Sequence, residues 1–117
     1  MLRRVVITGL GAVSPNGIGL KTFWENTCKG ISGIDRITSF DTSDLSCQIA
    51  GEVNQFDPSL YFSKSDLNKL PRSVPLAVAA TQECLANAGI DLTSFSEEDF
   101  EGMGVLLGSG GSGFDFS

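Results

Sequence analysis

The sequence contains no histidine. That absence excludes a Ser-His or Cys-His nucleophile pair within this chain, and it removes the commonest general base and metal ligand. Cysteine is sparse: Cys28, Cys47 and Cys84 are widely spaced with no C-x-x-C pair, which argues against a disulfide framework or a zinc site and reads as buried free thiols. Basic residues are few, 8 against 14 acidic ones, for a net charge of −6. A nucleic-acid surface is therefore not expected, because phosphate backbones are held mainly by Lys and Arg. No window approaches the roughly 20 apolar residues of a membrane span. The start, Met1-Leu2-Arg3-Arg4, runs into a strand pattern and has no signal-peptide core, so the chain is expected to be cytoplasmic, with no membrane partner.

What is present suits one globular domain or part of one. The 117 residues are 41% hydrophobic and 19% charged, with 14 glycines in clusters. Residues 3–8, R-R-V-V-I-T, read as a short buried strand, followed by a glycine-rich loop over residues 9–17. Leu20, Trp24, Thr27, Cys28 and Ile31 fall at helical spacing and predict an amphipathic helix ended by Gly30. Residues 39–46 read as a surface loop and 47–53 as a second strand, broken by Asp57-Pro58. A short helix over Lys64 to Leu70 stops at Pro71.

A longer helix opens near Ser73, with Pro75 in its first turn and Leu76, Ala77, Ala80, Cys84, Leu85 and Ala88 on its packing face; Gly89 caps it. Ser96 with Asp99 predicts a capping box for one helical turn, and residues 103–107, M-G-V-L-L, a third buried strand. Strand, helix, strand, helix, strand predicts an α/β layered fold with a mixed or parallel sheet shared by the three strands. Outside their parent sheet such strands leave open edges, so the isolated chain is expected to be poorly stable or self-associating.

Three motifs point toward chemistry. Gly9-x-Gly11-x-x-Ser14 after a strand imitates a dinucleotide fingerprint, but Ser14 replaces the third glycine and no acidic residue follows at the ribose position. Tight packing that only glycine permits is the stronger reading of Gly9 and Gly11. The run Gly108 to Gly113 lacks the Lys-Ser/Thr pair of a P-loop; directly after a strand, it is placed either as a ligand-facing loop or as a chain reversal. Lys64, Lys69 and Arg72 concentrate positive charge within nine positions, either as a solvated helix face or as a landing patch for an acidic protein.

Residues 3–17, R-R-V-V-I-T-G-L-G-A-V-S-P-N-G, resemble the opening of the elongating β-ketoacyl-acyl carrier protein synthases. The resemblance continues through F-W-E-N at 23–26, G-I-S-G-I at 30–34, F-D-T-S at 40–43, I-A-G-E-V at 49–53, F-D-P at 56–58 and G-V-L-L-G-S-G at 104–110.

It implies a thiolase-like layered αβαβα fold, of which residues 1–117 form the N-terminal part of the first half, in a cytoplasmic homodimer or beside a synthase-like partner chain. The implied reaction is a decarboxylative Claisen condensation in fatty-acid or polyketide biosynthesis, using acyl- and malonyl-loaded acyl carrier protein and no cofactor. An acyl group passes to a cysteine thiolate, the malonyl thioester loses carbon dioxide, and the resulting carbanion attacks the acyl thioester.

The family's nucleophilic cysteine and its two histidines lie beyond the Gly-Ser-Gly segment, so Cys28, Cys47 and Cys84 take no catalytic role and the 117-residue chain alone is expected to be inactive. By the same resemblance Gly110 and Gly111 line the acyl pocket, with Gly111 where a branched residue often stands. Lys64 and Lys69 fall at carrier-protein contacts with Arg72 beside them, although Pro71 replaces the usual acid there. Two other readings compete: a non-catalytic protein that pairs with a synthase or binds acyl carrier protein, and a nucleotide-binding module built on Gly9-x-Gly11.

Overall fold

The computed structural model describes residues 3–110. Residues 3–12 belong to no helix or strand and lead into a hairpin, β1 (Val13–Ser14) against β2 (Gly17–Ile18), with Val13 opposite Ile18. Helix α1 (Leu20–Cys28) follows directly and packs on that hairpin. A second antiparallel ladder joins β3 (Asp35–Arg36) to β4 (Ile49–Ala50) across the intervening loop. A 3-10 turn at Pro58–Leu60, the short α2 (Lys64–Leu67), the long α3 (Ser73–Ala88), a 3-10 turn at Leu92–Ser94 and α4 (Glu97–Glu101) complete the order.

The helix boundaries follow local chemistry. Gly30 sits at φ 69° and Gly89 at φ 68°, the left-handed conformation that glycine adopts without a Cβ penalty. Beyond each of them the chain bonds back into the helix, Ile31 N–H to the Asn26 carbonyl and Ile90 N–H to the Leu85 carbonyl, both at 2.9 Å. Pro75 lies in the first turn of α3, and the Ser96 and Asp99 side chains each accept the other residue's backbone N–H, the expected capping box. Ser63 caps α2 by accepting from Asp66 N–H, and this helix ends at Leu67, short of the expected Leu70.

The shared three-stranded sheet is not present among the described residues. Residues 3–8 and 103–107 belong to no ladder, and of the expected strand 47–53 only Ile49–Ala50 pairs. An apolar, β-branched run favours extended backbone, but strand identity requires a neighbour to take its N–H and C=O groups. Neither stretch pairs with a strand among the described residues, and Val5 is 90% and Leu106 98% exposed.

The core is correspondingly thin. Among the described residues Phe56, Pro75 and Ala79 are the buried apolar ones, with Thr42 the buried polar one, in the loop expected to lie on the surface. The radius of gyration is 17.4 Å, against about 13 Å for a globular domain of 100 residues. Two further expectations are corrected. Cys28 and Cys47 are exposed and Cys84 is half-buried, so the thiols are not core residues. On α1 the inward face is Leu20, Phe23 and Asn26, while Trp24 is 63% exposed, because hydrogen bonding to the hairpin orients the helix through Asn26 and not through its largest apolar side chain.

Candidate functional site

The best-constructed contact in the chain joins the opening loop to α3. A Cβ on Gly9 would meet the Cys84 carbonyl oxygen and lie 2.8 Å from Ala88 Cβ; one on Gly11 would fall on the Ala80 carbonyl oxygen. Backbone therefore lies against backbone, with Ala80, Cys84 and Ala88 supplying the small face expected of α3. The loop's N–H groups are taken by two α3 side chains one turn apart. Asn87 Oδ1 accepts from Leu10 N–H at 3.1 Å, and Glu83 Oε2 from Ala12 N–H at 2.9 Å. The other oxygen, Oε1, accepts from Leu20 N–H at 2.7 Å. Gly19, the residue before α1, has no side chain with which to cap that helix, so Glu83 satisfies its first N–H from another helix.

These facts overturn the nucleotide reading. A dinucleotide fingerprint needs free N–H groups and room for a pyrophosphate beside the glycines. Here α3 fills that space, and a carboxylate, which would repel phosphate, occupies the Ala12 N–H. Glu83 and Asn87 were not singled out from the sequence. Their signal was available as polar residues at i and i+4 interleaved with the small face of α3.

A polar cleft of about 510 Å³ opens between the hairpin, α1 and residues 52–55, with Asn16, Asn26, Asp35 and Glu52 among its walls. Asn16 Oδ1 is buried there without a protein partner. Glu52 is already committed: it accepts from the backbone N–H groups of Thr38 and Ser39, from both their hydroxyls, and from Asn54 Nδ2. Hydrogen bonding, led by the Ser39 hydroxyl, holds its carboxyl far below the ordinary 4.5. No group of three or more His, Cys, Asp or Glu among the described residues could hold a metal ion. The cleft thus holds structure together and lacks a nucleophile paired with a base.

A pH prediction follows from Glu52. Its pKa is depressed in the fold, so its stabilisation is complete above the unfolded carboxylate range and is lost as pH falls below about 4.5 toward the folded value. Asp41, Asp57, Asp91 and Asp99 are shifted the same way by serine or threonine donors. Glu52→Gln is expected to lower the melting temperature at pH 7 and to flatten its decline below pH ~4.5. Thermal melts of both proteins across pH 3–7 check it; parallel curves would contradict the assignment.

Lys64 opens α2 and Lys69 follows its end, both exposed and neither in an ion pair among the described residues. Arg72 stands at the start of α3, but its guanidinium is in use, Nη2 donating to the Val53 carbonyl at 2.9 Å. Gly110 is exposed, with nothing within 4 Å of where a Cβ would stand, so no described residue forms a pocket wall around it. Gly111 lies outside the described residues. No helix among the described residues is long and apolar enough to cross a membrane.

Comparison with known proteins agrees with this geometry. The family model for the β-ketoacyl synthase N-terminal domain matches residues 2–116. The 3-oxoacyl-[acyl-carrier-protein] synthase 2 of Staphylococcus aureus (strain COL) is 39% identical over 113 residues, 97% of this chain and 27% of the relative. That of Synechocystis sp. is 35% identical over 108 residues, 92% of this chain and 25% of the relative. Among solved structures, the ishigamide ketosynthase/chain length factor superposes with a TM-score of 0.67 at 34% identity, over 83% of this chain and 23% of that one.

The chain spans about a quarter of the length of the curated relatives it matches. The structural likeness, over 83% of this chain, places it in the thiolase-like α/β class, although the expected sheet is not formed among the described residues. A loop sealed onto a small-faced helix, exposed apolar stretches at residues 3–8 and 103–107 and a match across residues 2–116 lead to one assignment: the chain belongs to the β-ketoacyl synthase family.

Proposed function

We propose that this chain is the N-terminal portion of a 3-oxoacyl-[acyl-carrier-protein] synthase that catalyses decarboxylative Claisen condensation of acyl and malonyl thioesters in fatty-acid or polyketide biosynthesis. The observation that carries the reading is the family match over residues 2–116. In this reading the segment is scaffold and rim. Cys28 ends α1, Cys47 precedes β4 and Cys84 lies within α3, so none stands on a strand-to-helix elbow, and the nucleophile and its imidazole partners come from sequence outside these 117 residues. The exposed stretches around Val5 and Leu106 are paired by later sequence of the parent fold, which works as a cytoplasmic homodimer or beside a synthase-like partner chain.

Lys64 and Lys69, with Arg72, receive acyl carrier protein, and the loop at Gly110 and Gly111 borders the acyl pocket. Charge complementarity of this kind acts mainly on encounter and partner choice. The test uses the protein as its gene encodes it, supplied with acyl- and malonyl-carrier protein. Release of carbon dioxide and formation of the 3-oxoacyl product are expected. The double variant Lys64→Glu/Lys69→Glu is expected to raise KM for the carrier substrates about 10-fold at low salt with kcat retained, and the difference should shrink as salt is added. A protein that binds carrier protein but never turns over would favour instead a non-catalytic partner of a synthase, a reading supported by the likeness to a solved structure titled ketosynthase/chain length factor.

A further inference from the structure

Beside the three basic residues lies an apolar niche of about 300 Å³, walled by Phe56, Pro58, Leu67, Leu70, Pro75 and the Arg72 side chain. Its floor is the buried part of this face. Phe56 and Pro75 are buried, and the Phe56 ring stacks on Tyr61 with centroids 5.7 Å apart. Its position is fixed from two sides. Asp57 accepts from Ser59 N–H to form the turn carrying Pro58, and Arg72 ties the start of α3 to Val53. Leu67 and Leu70, the outer walls, are only half-buried. An apolar recess on a buried floor, near two exposed lysines that form no ion pair among the described residues, in a chain of net charge −6, combines shape with local charge.

We propose that this niche is a docking socket for an aliphatic side chain presented among carboxylates on the acyl carrier protein surface. Lys64 and Lys69 attract that surface, and the socket between α2 and α3 fixes its register. The inference rests on the carrier-protein reading above and adds the residues that set residence time. Arg72 lines the socket, and Lys64 and Lys69 flank its Leu67 and Leu70 walls in sequence, three of eight basic residues in a chain whose 14 acidic residues make it net negative, so an acidic partner meets a favourable field here. Burial of a central apolar anchor acts on the dissociation rate, whereas rim charges act on the association rate and its salt dependence.

The two contributions therefore separate by experiment. Carrier-protein affinity and kinetics are measured across a salt series on the protein as encoded, its Leu67→Ala/Leu70→Ala variant, and the volume-conserving Leu70→Met. The double alanine variant is expected to bind about 10-fold more weakly through faster dissociation, with the salt slope unchanged. Leu70→Met is expected to stay close to the parent. To guard against a folding defect, each exposed aliphatic residue of the carrier protein is changed to alanine in a double-mutant cycle with Leu67→Ala/Leu70→Ala. One of them should show coupling.

If the parent binds and the leucine variants bind equally well, or if no carrier residue couples, the socket is overturned and carrier docking stands. If the parent does not bind carrier protein at all, both fall.

Discussion

Changing Gly11 to alanine is expected to destabilise the encoded protein by about 3 kcal/mol. The added Cβ would fall on the Ala80 carbonyl oxygen and lie 2.8 Å from the Cys84 amide nitrogen. Both are backbone atoms in the middle of α3, and no rotamer change can move them aside. The loop must lift away from the helix, and lifting it also pulls on the bonds from Leu10 and Ala12 to Asn87 and Glu83. Gly102→Ala is the control. Its nearest neighbour would be the Asp99 carbonyl oxygen at an ordinary 3.5 Å, and an effect within about 0.5 kcal/mol is expected. Denaturant unfolding of the two variants decides the matter, and equal stability would remove the close-packing account of the glycine loop.

The second large effect is at Glu83. Its carboxylate accepts from Ala12 N–H on the loop and Leu20 N–H at the start of α1, so one side chain joins three elements. Glu83→Ala leaves both donors without a protein partner. Hydrogen bonds to a charged group contribute about 1.5–3 kcal/mol each, and a loss of about 3 kcal/mol is expected for the pair after partial rehydration. Glu83→Gln keeps one carbonyl acceptor and should lose roughly half as much. Hydrogen exchange gives the local signature: the amides of Ala12 and Leu20 should lose protection in Glu83→Ala while those in the centre of α3 keep more of theirs. Uniform loss along the chain would mean that Glu83 contributes no specific clamp.

Glu83 was legible only in part. A carboxylate on a helix otherwise carrying Ala79, Ala80, Cys84 and Ala88 stands out once the helix is known to pack through its small residues. Its two acceptor roles depend on the loop and α1 arriving at the same place, which no local pattern encodes. Glu52 is similar. The alternation in residues 47–53 suggested a strand, yet the tertiary fold uses this carboxylate to gather the loop at Thr38 and Ser39. The basic residues were visible as a charge cluster, whereas the apolar niche beside them needs Phe56, Leu70 and Pro75, 14 and 19 positions from the first of these to the others, to meet.

The sequence by itself determined the punctuation and the family. Glycine at left-handed positions, proline in a first helical turn and a Ser-Asp capping box act within a few residues, so their effects are written locally: α3 and α4 begin as expected, and α1 and α3 end at their glycines. Tertiary structure alone decided which apolar stretches find partners. Residues 3–8 and 103–107 have strand composition but belong to no ladder, since a ladder needs a second backbone at hydrogen-bonding distance. It also decided that Gly9 and Gly11 face a helix and not a phosphate, because only the meeting of distant segments fixes what a bare backbone touches.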